Sequence, residues 1–144
     1  MQNYEYLPIG IDIGTTFCCI GVYRNSSVEI IPNEINERTT PSIVSFIDDN
    51  VFVGEQTEYK RLKDSKNKIY AIKRIIGRNF NDEEVQEDIK RFSYVVKEDK
   101  GRSQIEIQSN GIKKFSPEEI LAKIMVKLKK SAEEYLNKGL KKLL

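Results

Sequence analysis

Positions 10 to 16 read Gly-Ile-Asp-Ile-Gly-Thr-Thr, and within these residues lie all the parts of a phosphate site. Gly14 lets the backbone come close to a ligand. Successive amide N–H groups in the following turn can form a nest for anionic oxygens, and Thr15 and Thr16 add hydroxyl donors. Asp12 could hold a divalent cation through water, as magnesium prefers. An acid near the end of a buried strand is costly unless it is paired or metal-linked. No G-K-[ST] follows, so this is not a Walker loop, and it is not G-x-G-x-x-G either. Lys73 is the second candidate, since a lysine is a natural counter-charge for a transferring phosphoryl group. Both have plainer alternatives. D-x-G-T-T also serves as ordinary hairpin chemistry, and a lysine among helically spaced isoleucines is usually an exposed one. The residues alone leave these alternatives open.

Other chemistries are excluded by what the chain lacks. It has no histidine, so no Ser-His-Asp triad, Cys-His pair or histidine-ligated zinc is available. Its two cysteines, Cys18 and Cys19, are too few for an all-thiolate zinc site. Neighbours on a strand point to opposite faces and cannot close an ordinary disulfide. Two reduced thiols and the absence of a basic-then-apolar start predict a cytoplasmic or nuclear chain, cytoplasmic by preference. With 144 residues, 24 Lys plus Arg and 22 Asp plus Glu, there is room for one core and no field that favours nucleic acid. The charge is uneven: residues 111–144 hold 9 Lys and 4 Glu. No apolar run approaches the ~20 residues of a membrane-spanning helix.

These candidates must be carried by a meander. Residues 7–13, 17–23 and 28–31 read as three strands joined by tight turns, with Pro32 ending the third. After the polar segment 33–42, residues 43–47 and 51–53 flank Asp48-Asp49-Asn50 as a hairpin. A short helix is expected within 55–68. Apolar spacing at Ile69, Ile72, Ile75 and Ile76 predicts a helix over 69–78, stopped by Gly77. Asn81 could cap another over 82–91. Residues 93–97, 103–108 and 111–115 alternate as strands around Asp99-Lys100-Gly101 and Asn110-Gly111. Ser116-Pro117-Glu118-Glu119 then opens the clearest helix with a capping box. Its apolar stripe runs from Ile120 through Leu121, Ile124, Met125, Leu128 and Ala132 to Tyr135 and Leu136. Its lysines read as a solvated face, and Gly139 as its stop.

Taken together, these residues resemble the start of the 70-kilodalton heat-shock chaperone family. The resemblance is carried by IGIDIGTTFCCIGVY, VEIIPNEINERTTPS, AIKRIIGR, FSPEEILAKIMVKLK and AEEYL, in the family's order, over about residues 7–136. NERTTPS and IKRIIGR are far more specific than D-x-G-T-T, which sugar kinases and other actin-like ATPases also carry. The resemblance implies an α/β, actin-like and ribonuclease-H-like fold that binds ATP or ADP with magnesium between two lobes. Gly14, Thr15, Thr16 and Phe17 would match the first phosphate loop. Phe17 stands where tyrosine is usual, with a contact expected through backbone. Asp12 would match the acid beside the magnesium shell, and Lys73 the catalytic lysine. Residues 1–40 would form an inner subdomain, 41–116 an outer one, and 117–144 a helix returning to the inner one.

The family's ATPase domain is more than twice this long. The expectation is therefore an incomplete lobe with half of the phosphate clamp, no adenine pocket and weak or no turnover. J-domain co-chaperones and nucleotide-exchange factors are the implied partners, with unfolded polypeptide only through a missing domain and neither nucleic acid nor membrane. A non-catalytic module competing for co-chaperones, or a truncated gene product, is the alternative. The meander's unpaired edge and uncovered apolar face predict marginal stability, with self-association or a need for a partner.

Overall fold

The apolar alternation of the first strands folds them as a hairpin chain, seen in a computed structural model that describes residues 7–54 and 65–136. Strands β1 (Ile9–Ile13), β2 (Phe17–Arg24) and β3 (Ser27–Ile30) pair antiparallel in that order, with Ile13 opposite Cys18 and Gly21 opposite Ile30. Asn25 and Ser26, both at positive φ, make the two-residue turn whose twist suits a hairpin. A fourth strand, β4 (Thr40–Pro41), joins the first half of β2 at Phe17 and Cys18. The polar segment 33–42 thus ends by entering the sheet. Pro41 is tolerated there because β4 is short and lies at an edge.

Two three-stranded antiparallel sheets follow. In the first, β5 (Val44–Ile47) is flanked by β6 (Asn50–Val53) and β7 (Lys68–Ile69). In the second, β9 (Arg102–Gln108) is flanked by β8 (Val95–Asp99) and β10 (Ile112–Phe115). All of these strands but the two-residue β7 fall where alternation and turn residues put them. The segment 69–78 differs. Ile69 belongs to β7, Ala71 takes a left-handed φ of 53°, and only Ile72–Arg74 winds, as a single 3-10 turn. Ile72 and Ile75 are buried all the same. Isoleucine spacing reports which side faces the core, and a tight turn meets that demand as well as a helix does. Helix α1 spans Glu83–Ile89 with Asp82, not Asn81, at its N-cap position. The short helix expected within 55–68 falls mostly outside the described residues.

Helix α2 (Pro117–Leu136) is the long element. The Ser116 hydroxyl accepts from the Glu119 amide at 3.1 Å, and the Glu119 carboxylate accepts from the Ser116 amide at 2.7 Å, so the capping box forms as spaced. Ile120, Ile124, Leu128, Ala132 and Leu136 recur every fourth residue and are buried as one face. They join a core with Ile20 and Val22 of β2, Ile72, Ile75, and Ile105 and Ile107 of β9. Two lysines of the expected solvated face have partners outside the helix: Lys127 pairs with Glu34 at 2.9 Å, and Lys123 lies 5.0 Å from the Phe115 ring. Gly139 lies outside the described residues.

On the opposite face of the first sheet, side chains stay open. Tyr23 and Val28 are exposed, and they help line a shallow groove of about 510 Å³ that also includes Gly10, Asp12 and Cys19. The free edge of β1 carries no strand among the described residues. Among the same residues, no helix is long and apolar enough to cross a membrane.

Candidate functional site

The β1–β2 turn places the Asp-x-Gly-Thr-Thr residues together at one end of the first sheet. Register sets Asp12 opposite Cys19, so both share the open face, and period-two alternation puts Phe17 there as well. Asp12 is exposed, so no burial cost forces a partner on it. The expectation of a buried acid is corrected here. It fails because strand β1 has only one covered face, and Asp12 lies on the other. The turn is closed by the Gly14 amide, which donates to the Phe17 carbonyl at 2.9 Å. Thr15 is half-buried, while Thr16 and Phe17 are exposed, which leaves the turn accessible from solvent.

Lys73 arrives from sixty residues away in sequence. Its Nζ donates to the Ile13 carbonyl oxygen at 2.6 Å, directly before Gly14. The 3-10 turn makes this possible. Ile72 and Ile75 point into the core and α2 packs against the turn, so Lys73 is turned outward toward the β1–β2 turn. Asp12, Gly14, Thr15, Thr16 and Lys73 are thus gathered into one region, with Phe17 beside them.

Ser42, which the spacing of the sequence gives no reason to single out, also reaches this turn. Its amide donates to the Thr16 carbonyl at 2.8 Å and its hydroxyl to the Gly14 carbonyl at 2.9 Å. Cys18 Sγ lies 3.1 Å from the same hydroxyl. Burial pushes the Cys18 thiol up, and its hydrogen bond with Ser42 offsets this only in part. The contacts span 24 to 28 residues, so no local motif could announce them. Both cysteines are free, as their opposite faces require. Among the described residues, no three His, Cys, Asp or Glu side chains converge as a metal-ligand group.

The region therefore combines one ammonium, two hydroxyls, turn amides and one carboxylate around an exposed loop. That set can meet a phosphate chain and its counter-ion.

Comparison with known proteins places the chain in a family. A family profile described as "Hsp70 protein" matches residues 8–144. A "Heat shock 70 kDa protein" of Neurospora crassa is 43% identical over 129 residues, covering 89% of this chain and 20% of the relative. The counterpart from Trichophyton rubrum is 40% identical over the same length. "Chaperone protein DnaK" of Psychrobacter cryohalolentis is 44% identical over 132 residues, 91% of this chain and 20% of its own length. The chain spans about a fifth of the length of these relatives, and its sheets and helices fit an incomplete actin-like α/β lobe. The chain belongs to the Hsp70 chaperone family and corresponds to an N-terminal part of it.

Proposed function

We propose that this chain supplies the first phosphate-binding half of an Hsp70-type ATPase. The observation that carries the reading is the bond from Lys73 Nζ to the Ile13 carbonyl at 2.6 Å, which holds a cation beside the Gly14–Phe17 turn. An ammonium has three donors. One is committed to Ile13, and the other two remain for a phosphate oxygen and an attacking water. Held in place, this compact charge stabilises negative charge as it builds on the γ-phosphoryl oxygens, with no reorganisation at the moment of reaction. Gly14, Thr15, Thr16 and Phe17 hold the phosphates through turn amides and hydroxyls.

Asp12 is the residue that would orient magnesium, through water. A single exposed carboxylate fits an ion that keeps several waters and takes one or two carboxylates together with phosphate oxygens. When bound, magnesium neutralises charge between the phosphates. On this reading residues 1–40 form the inner subdomain, 41–116 the outer one, and 117–144 the returning helix. ATP hydrolysis coupled to protein folding, and contacts with J-domain co-chaperones and exchange factors, belong to the whole protein. This chain contributes phosphate binding and the catalytic lysine.

Calorimetric titration of the 144-residue chain with ATP and magnesium tests the reading. Saturable binding that is weakened when magnesium is chelated is expected. No binding at millimolar nucleotide, with the fold verified by circular dichroism, would overturn it.

A further inference from the structure

We propose that Ser42 is a positioning residue for the phosphate loop, holding Gly14–Phe17 in the shape that receives phosphate; this rests on the phosphate reading of that loop. The argument starts from peptide planarity. In a trans peptide the carbonyl and the following N–H point to opposite sides. The Ser42 hydroxyl donates to the Gly14 oxygen at 2.9 Å, so the Gly14–Thr15 peptide is fixed with the Thr15 N–H directed away from Ser42. The Ser42 amide bond to the Thr16 oxygen fixes the Thr16–Phe17 peptide in the same way. A nest needs its N–H groups aimed before the anion arrives, and these two bonds set two of the loop's peptide planes.

The hydroxyl's own proton is directed by its surroundings. A serine hydroxyl has one hydrogen to give and can accept in return. The Gly14 carbonyl can only accept, so the Ser42 hydrogen goes to it, and the Ser42 oxygen is left to accept from the Cys18 S–H across 3.1 Å. The order is Cys18 to Ser42 to Gly14. Ser42 is only 3% exposed, so water does not compete for these bonds. Its place in the chain adds to its reach. It lies between β4 of the first sheet and β5 of the second, where the backbone is held on both sides.

The test uses the full chain, labelled with ¹⁵N, as parent, Ser42→Ala, Ser42→Thr and Ser42→Cys. Amide exchange is read at Gly14, whose N–H bonds Phe17, and at residue 42, with Ile105 and Ile107 of the third sheet as internal reference. Mg·ATP is then titrated. In Ser42→Ala, exchange at Gly14 and residue 42 is expected to rise by about tenfold, the scale of one lost hydrogen bond. Ile105 and Ile107 stay at the parent rate, and Mg·ATP affinity falls by a similar factor. Ser42→Thr, which keeps the hydroxyl, restores both. Ser42→Cys, with a weak donor of similar size, falls between them and serves if the alanine variant does not fold. Unchanged exchange at Gly14, or a rise shared equally by Ile105 and Ile107, overturns the proposal. A parent that shows no response to Mg·ATP overturns the phosphate reading instead, and exchange at Gly14 still decides whether Ser42 holds the loop.

Discussion

A methyl group on Gly14 would stand 2.4 Å from the carbonyl oxygen of Phe17, the same oxygen that the Gly14 amide bonds. The turn closes so tightly that only hydrogen fits. Gly14→Ala must therefore push the Phe17 carbonyl away or open the turn, at a cost of about 1–3 kcal/mol, as overpacking usually exacts. Urea unfolding should show a lower midpoint with an unchanged slope. The alanine variant should also lose Mg·ATP binding, since the loop amides are displaced. A midpoint equal to that of the parent would show that the turn relaxes freely.

Lys73 should behave in the opposite way. Its side chain is exposed and its one bond among the described residues is to a backbone oxygen. Lys73→Ala should change stability by no more than about 1.5 kcal/mol, yet weaken nucleotide binding at least tenfold. Lys73→Arg should not restore binding, because a planar guanidinium does not replace a compact ammonium held on one carbonyl. Denaturation and calorimetry on the same samples separate the two effects. Binding lost only in proportion to folding would refute a specific role.

The end of α2 is tied to the β2–β3 hairpin by charge. Arg24 meets Glu29 through two bonds, at 2.5 and 2.8 Å, and the Tyr135 hydroxyl donates to the same carboxylate. Arg24 first and Tyr135 second hold the Glu29 carboxyl below the usual glutamate range. A carboxyl depressed in the fold stabilises it above the unfolded value, and that contribution is lost as pH falls through the folded one. The loss should begin near the ordinary glutamate value of about 4.3 and continue below it. Thermal melts between neutral and strongly acidic pH should show Glu29→Gln with a shallower acid decline than the parent. Identical slopes would mean that the cluster is too well solvated to matter.

The capping box makes a simpler claim. Ser116→Ala removes the acceptor for the Glu119 amide and should lower stability by about 1 kcal/mol, the usual cost of a lost cap. Ser116→Asp should recover most of it. Chemical denaturation followed by far-ultraviolet circular dichroism measures both, and an unchanged alanine midpoint would show that α2 is held by its buried face alone.

How much of this could be read from the sequence depended on the range of the interaction. Sequence alone determined the hairpins, the capping box of α2 and the helix face, because turn residues, a Ser-x-x-Glu box and a four-residue apolar repeat act within a few positions. It also determined the family, through motifs in order. It misread 69–78 as helix, since isoleucine spacing encodes burial and leaves open whether a helix or one 3-10 turn provides it. It took Asp12 as buried, since strand character does not tell how many faces of a sheet are covered. Tertiary structure alone decided that Lys73 meets Ile13 and that Ser42 meets Gly14. Those bonds join segments 60 and 28 residues apart, and only the packing of α2 and the passage from β4 to β5 bring them within reach. The types of residue needed for phosphate chemistry were written in the chain, and their convergence came from the core that packs beneath them.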